Sequence, residues 1–213
     1  MIQGDITLQQ NQGRAIVETI KKFQLRYNLE IGSKCGNGST SCFLEGMKYL
    51  SGDKRLDCIE PNKEFFDVLK EGMKGYPFVV PHRVSSISWK NFHCKDFDRD
   101  VWNNVDGDPI KCYSYDLVKS WYASTISFVQ ACEKGFLEDD KRYDSVLIDG
   151  SGFCGYSEYL LLKDRVRCFF LDDVHRRSIK TNKAYSELKA NNQWDCLYDD
   201  SRERNGWAVF LKK

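Results

Sequence analysis

Aspartates stand at two points of the chain where an apolar run ends. Asp149 follows Ser145-Val146-Leu147-Ile148, and Asp172-Asp173 follows the run from Val166 to Leu171. Such runs read as buried parallel strands, and parallel sheets bind ligands outside the carboxyl ends of their strands. Neighbouring strands would bring the three carboxylates together. Carboxylates so crowded repel unless a proton or a cation intervenes. An all-oxygen set suits Mg²⁺ or another divalent cation, which keeps several waters and takes substrate oxygens. Such an ion can lower the pKa of a substrate hydroxyl and anchor it. Asp149, Asp172 and Asp173 are therefore candidate metal ligands. The alternative is structural, because acids at strand ends also cap helices and bond loop amides.

A second constellation is Glu30-Ile31-Gly32-Ser33-Lys34-Cys35-Gly36-Asn37-Gly38-Ser39-Thr40. Glycines turn tightly and let a ligand approach the backbone. Glu60 closes the next apolar run, 22 residues after Gly38. A carboxylate there can accept both hydroxyls of a ribose. The third glycine of a dinucleotide fingerprint would fall at Ser41, which argues against an NAD-dependent oxidoreductase.

The actual pattern, Glu-x-Gly-x-x-x-Gly-x-Gly, resembles the first motif of the class I S-adenosylmethionine-dependent methyltransferases. Glu60 resembles their second motif. Tyr143-Asp144-Ser145-Val146-Leu147-Ile148-Asp149-Gly150 resembles their fourth strand, and Trp194 to Lys213 their antiparallel sixth and seventh strands. The resemblance implies S-adenosylmethionine as cofactor. Glu30 and Gly32 would lie by its methionine end, and Ser33, Gly36, Gly38 and Ser39 would form the loop it approaches. Glu60 would hold the ribose, and Ser85 or Ser86 would lie near the adenine.

The aspartates also resemble a subset of that family, the metal-dependent O-methyltransferases of catechols and of natural-product sugars. There an Asp after the fourth strand and an Asp-Asp or Asp-Asn pair after the fifth hold the metal. The implied acceptor is a hydroxyl of a small molecule or sugar. The chain departs at the general base. Catechol-type enzymes place a Lys where this chain has Gly152, and sugar enzymes an acid where it has Ser151. Related sequences often read Asp-Gly-Ser-His, and that His is again Gly152. With Asp149, His175 is the substitute catalytic candidate, since a histidine titrates in the useful range. Tyr156 and Lys180 are others. The missing bases also leave open a catalytically inactive, methyltransferase-fold binding module. A metal-dependent hydrolase on the three aspartates would leave the glycine loop unexplained.

The elements that must position these groups follow from periodicity. Helical spacing appears at residues 8–24, 43–50, 65–73, 156–163 and 179–190. Strands are predicted at Leu25–Ile31, Leu56–Glu60, Phe78–Val80, 145–148, Val166–Leu171, 194–199 and 206–212, the last two joined around Asn205-Gly206. The fold class is therefore α/β: a Rossmann-like, mostly parallel seven-stranded sheet with helices on both faces and a C-terminal antiparallel hairpin. Residues 1–213 read as a single domain, with 88–141 as an inserted, partly helical cap that binds the acceptor. That insert holds Trp89, Phe92, Phe97, Trp102, Tyr113, Tyr115, Trp121 and Tyr122, and a turn at Asn103–Pro109. Asp106-Gly107-Asp108 lacks the spaced ligands of a calcium loop. Leu117, Trp121, Phe128 and Cys132 share one helical face. The aromatics could stack on a sugar or aromatic acceptor, and most read as the insert's own small core.

Composition excludes several classes. The chain has 213 residues, 41% hydrophobic and 14% aromatic, and a net charge of +1. That balance gives no reason to expect nucleic acid or an anionic membrane as partner. The basic stretch from Arg165 to Lys183 reads as a solvated face. No apolar run approaches the length of a membrane span. The start Met1-Ile2-Gln3-Gly4-Asp5 lacks the regions of a signal peptide. Nine scattered cysteines without a C-x-x-C pair read as free thiols, so a cytoplasmic location is expected.

Overall fold

A computed structural model describes residues 6–103, 112–175 and 178–213. The first helix, α1 (Asn11–Phe23), stops because Gln24 turns left-handed, with φ 53°, and hands its N–H to the Ile20 carbonyl. The next N–H, of Leu25, goes to the same carbonyl. Strand β1 (Tyr27–Ile31) therefore starts two residues after the apolar run does. There follow α2 (Ser39–Met47), β2 (Arg55–Ile59) and α3 (Lys63–Gly72). The Asn62 side chain caps α3 by accepting from Glu64 and Phe65 N–H. Strand β3 (Val79–His82) carries Pro81, tolerated because β3 is an edge strand.

The remaining elements are α4 (Tyr115–Gln130), β4 (Tyr143–Ile148), α5 (Gly155–Leu162), β5 (Val166–Asp172), α6 (Asn182–Ala190), β6 (Trp194–Asp200) and β7 (Trp207–Lys212). One seven-stranded sheet has the order β3-β2-β1-β4-β5-β7-β6. The first five strands run parallel, and β7 is antiparallel to β5 and β6. The strand order reverses between β1 and β4, which is where such sheets open a crevice. Register makes that crevice level. Ile31 lies opposite Ile59 and Ile148, and Ile148 opposite Leu171. The residues after them, Gly32, Glu60, Asp149 and Asp172, therefore form one row across the sheet.

Both faces are buried, as a parallel sheet requires. Leu147 and Phe170 pack with Ile16, Ile20, Phe43 and Leu69 of α1 to α3. Their neighbours Val146, Ile148, Phe169 and Leu171 pack with Val118, Tyr122, Tyr159 and Leu188 of α4 to α6.

Residues 88–141 contain short helical turns at Trp89–Asn91, Phe97–Trp102 and Phe136–Glu138 besides α4. The expected face of α4 is one residue out. Val118, Tyr122, Thr125 and Val129 are buried, whereas Leu117 and Trp121 are each 42% exposed. An apolar stripe facing a cavity has the same period as one facing a core, which is why the two read alike. Residues 104–109 of the expected turn, with Asp106-Gly107-Asp108, lie outside the described residues, as do Arg176 and Arg177 of the basic stretch. The last major helix starts at Asn182 rather than 179. Lys180 and Thr181 are drawn out of it by bonds to the ends of β4 and β5, described below. No helix among the described residues is long and apolar enough to cross a membrane.

Candidate functional site

A cavity of about 280 Å³ opens at the carboxyl ends of β1, β2 and β4. Gly32, Lys34, Glu60, Ser85, Ser86, Asp149 and Glu158 line it, with Ser124, Thr125 and Phe128 of α4 opposite. Gly32 has φ +92°, and a Cβ there would meet the Asp149 carbonyl oxygen at 2.4 Å. Only glycine lets the ends of β1 and β4 approach this closely. Glu60 is fixed by two backbone donors: Lys34 N–H to Oε2 and Asn62 N–H to Oε1, both at 2.9 Å. Burial pushes its carboxyl above the ordinary range, and the two N–H groups oppose this.

Glu30, Ser33, Gly36, Gly38 and Ser39 are not among the cavity-lining residues. Glu30 is fully buried and accepts hydrogen bonds from the Ser39 and Thr40 hydroxyls of α2. Burial raises its carboxyl pKa, and those hydroxyls offset part of the rise. It braces the loop from behind. Ser33 bonds the Glu30 carbonyl, Gly36 packs against Leu69 of α3, and Gly38 caps α2.

Glu158 of α5 is a wall residue that the sequence reading missed. It is 1% exposed, and Oε1 accepts from the Ser86 hydroxyl at 2.5 Å. Its other oxygen, Oε2, is buried without a hydrogen-bond partner. Burial pushes this carboxyl up to about 7, against the pull of Ser86 and Lys180. A signal was present: helix α5, Gly155-Tyr156-Ser157-Glu158-Tyr159-Leu160-Leu161-Leu162, is largely apolar all round, so its one acid had to be buried.

The level register does bring Asp149, Asp172 and Asp173 together, and Lys180 lies among them. Its Nζ donates to Asp149 Oδ1 at 2.5 Å, Asp173 Oδ2 at 3.0 Å and Asp172 Oδ2 at 3.1 Å. Arg204, from the β6–β7 turn, reaches Asp172 Oδ2 at 3.3 Å, and Asn205 Nδ2 donates to Asp173 Oδ1 at 2.9 Å. Asp172 Oδ1 is buried without a hydrogen-bond partner. Burial works against the charge on Lys180, but the three carboxylates outweigh it and hold the ammonium well above its ordinary range. Burial would also raise the Asp172 carboxyl, yet Lys180 and Arg204 hold it down at about 2. Asp149 is the one pushed up, by burial first and by Asp172 second. A divalent ion shared by these carboxylates would need the position that Nζ occupies. The metal expectation therefore does not fit the residues present, and no group of three His, Cys, Asp or Glu among the described residues is arranged to hold a metal.

His175 lines neither this cavity nor the one next to it. Asp173, at φ 59°, turns the chain towards the β6–β7 connection. There Val174 N–H bonds the Gly206 carbonyl at 3.0 Å and His175 N–H the Asn205 carbonyl at 2.8 Å. It is Lys180 whose side chain reaches the strand ends.

The adjoining cavity measures about 990 Å³. Tyr113, Trp121, Phe153, Asp173, Lys180 and Asn205 line it, and it shares Lys34, Phe65, Ser124, Thr125, Gly150 and Ser151 with the first. Tyr113 and Trp121 meet edge to face with centroids 5.0 Å apart. Ser151, two residues beyond Asp149, hydrogen-bonds Thr125 Oγ1 at 2.8 Å.

No protein-family model and no curated protein matches the chain in sequence. Solved structures match it in fold. A Klebsiella pneumoniae protein assigned as an O-methyltransferase superposes with a TM-score of 0.59 at 13% identity, covering 98% of this chain and 82% of its own. The O-methyltransferase from Bacillus cereus, in complex with S-adenosylhomocysteine, gives 0.57 at 14%, covering 98% and 83%. The O-methyltransferase TomG from Streptomyces achromogenes, involved in tomaymycin synthesis and in complex with S-adenosylmethionine, gives 0.55 at 13%, covering 95% and 79%. At such identities the likeness establishes the Rossmann-like methyltransferase fold.

Proposed function

We propose that the chain is an S-adenosylmethionine-dependent methyltransferase that acts on a hydroxyl of a small acceptor. One observation carries the reading: Glu60, backbone-anchored and buried, faces a cavity at the point where the strand order reverses. Each of its oxygens keeps a lone pair for one hydroxyl of a ribose diol. Gly32 would admit the cofactor to the ends of β1 and β4. Ser86 and the unpartnered Oε2 of Glu158 suit the exocyclic amino group of adenine, which Oε2 can accept. The bound cofactor supplies a sulfonium methyl group. The fold neighbours solved with S-adenosylmethionine or S-adenosylhomocysteine support this choice of cofactor.

The larger cavity is the acceptor side of this proposal, and residues of the 88–141 insert such as Tyr113 and Trp121 provide its aromatic wall. Flat rings and sugars both stack on such walls. Because the cavities share Gly150, Ser151 and Thr125, an acceptor oxygen there is brought towards the donor. Proximity and orientation are what the chain chiefly supplies. Asp149, which lines the first cavity next to the shared Gly150, is the candidate to take the hydroxyl proton. His175 is not part of this constellation, and neither is a divalent ion.

Transfer of labelled methyl from S-adenosylmethionine to a panel of phenols, catechols and sugars tests the reading. Product formation that falls at least tenfold in Asp149→Asn is expected. Cofactor binding with no transfer to any acceptor would instead support a binding module of the same fold.

A further inference from the structure

We propose that the Lys180 side chain is the built-in cation of the acid cluster, and that the chain therefore neither takes up nor needs a divalent metal there. The inference rests on the geometry of the cluster; only its activity arm rests on the methyltransferase reading.

The geometry is closed. An ammonium has three protons, and three carboxylates accept them, at 2.5, 3.0 and 3.1 Å. Arg204 and Asn205 take further positions on Asp172 and Asp173. Mg²⁺ binds such oxygens at about 2.0–2.1 Å in octahedral geometry. It would have to expel Nζ and then sit near the displaced ammonium and the Arg204 guanidinium in a poorly solvated place, where like charges repel strongly.

Lys180 is also not a flexible side chain that fell into a hole. Its backbone is pinned on both sides. A Cβ on Gly155 would meet the Lys180 carbonyl oxygen at 2.3 Å, so the loop can rest on α5 only because residue 155 is glycine. The next residue, Thr181, donates its hydroxyl to the Asp172 carbonyl. Lys180 N–H reaches the Ser178 hydroxyl at 3.3 Å. These contacts withdraw residues 180 and 181 from α6 and direct the side chain between β4 and β5.

The consequence is chemical. A divalent ion could ligate an acceptor oxygen directly and polarise it. An ammonium with all its protons committed cannot. The acceptor hydroxyl must then meet the free lone pairs of the carboxylates, and charge balance is set by the chain alone.

The test is Mn²⁺ titration of the full chain followed by electron paramagnetic resonance, with S-adenosylhomocysteine binding measured calorimetrically on the same sample. The wild type is expected to leave Mn²⁺ free at millimolar concentration, and methyl transfer is expected to survive EDTA within twofold. Lys180→Ala is expected to bind Mn²⁺ at least tenfold more tightly than the wild type. One Mn²⁺ per wild-type chain, lost in Asp172→Asn, would overturn the proposal. So would a folded Lys180→Ala chain that binds no more Mn²⁺ than the wild type. If that variant does not fold, the wild-type titration decides alone. Failure to bind S-adenosylhomocysteine would count against the methyltransferase reading and leave the Mn²⁺ result standing.

Discussion

Lys180 Nζ lies 2.5 Å from Asp149 Oδ1, joining the loop after β5 to the end of β4. This contact, with the two to Asp172 and Asp173, turns a cluster that reads as a metal site into an ion network within the fold. Removing one partner of a buried charge network leaves uncompensated charge and costs about 3–5 kcal/mol. Lys180→Met should lose that much in urea denaturation at neutral pH with EDTA present. A loss below about 1 kcal/mol, the scale of an exposed pair, would show that the cluster does not depend on its lysine.

Much of this was legible in the sequence, and the exceptions have physical causes. The strand–helix alternation, the closing hairpin and the row Gly32, Glu60, Asp149 and Asp172 follow from apolar periods that end in glycine or acid. Lys180 was visible only as one of several possible bases, because its partners come from two strands that pairing, not sequence spacing, makes neighbours. Whether Trp121 belongs to core or to an acceptor wall was open in the sequence, because a cavity wall and a core share one helical period. His175 lost its candidacy through the left-handed turn at Asp173, a conformation that Asp tolerates but does not dictate.

Glu60 should be separable from the fold. Hydrogen bonds to a charged group are worth about 1.5–3 kcal/mol, so Glu60→Ala should weaken S-adenosylhomocysteine binding about 10- to 100-fold. Calorimetric titration checks this. Unchanged affinity would remove Glu60 from the ribose role.

Glu158 makes stability depend on pH. Its carboxyl titrates near about 7 in the folded chain, against about 4.3 when unfolded. Between those values the folded chain holds a proton that the unfolded chain has lost, so this group's contribution to stability falls as pH rises. Glu158→Gln keeps an acceptor for Ser86 and carries no charge. Its melting temperature relative to wild type should rise from pH 5 to pH 8. A constant difference across that range would contradict a buried, titrating Glu158.

Trp121 should matter to the acceptor alone. It is half-exposed, so Trp121→Ala should leave the melting temperature and cofactor affinity nearly unchanged while raising the acceptor KM several-fold. Steady-state kinetics with a turned-over acceptor measures this. A matching loss of cofactor affinity would mean that α4 shapes both cavities.

A buried acid outside the cavity lining should contribute to stability at the acid end. Asp57 on β2 is bonded by Arg55 at 2.8 and 2.9 Å and by His82 at 2.5 Å. Burial would raise its carboxyl, but His82 and Arg55 prevail and lower it to about 2. A depressed carboxyl stabilises fully above its unfolded value of about 3.9, and the contribution is lost as pH falls through about 2. Asp57→Asn should therefore be less stable than wild type at pH 6 and approach it at pH 2, followed by denaturation midpoints.

The central claim, a cofactor cavity where the strand order reverses, is tested most directly by isothermal titration of the wild-type chain with S-adenosylhomocysteine. One molecule should bind per chain, with NADH giving no competing heat. No binding at millimolar concentration, or displacement by NADH, would contradict the account.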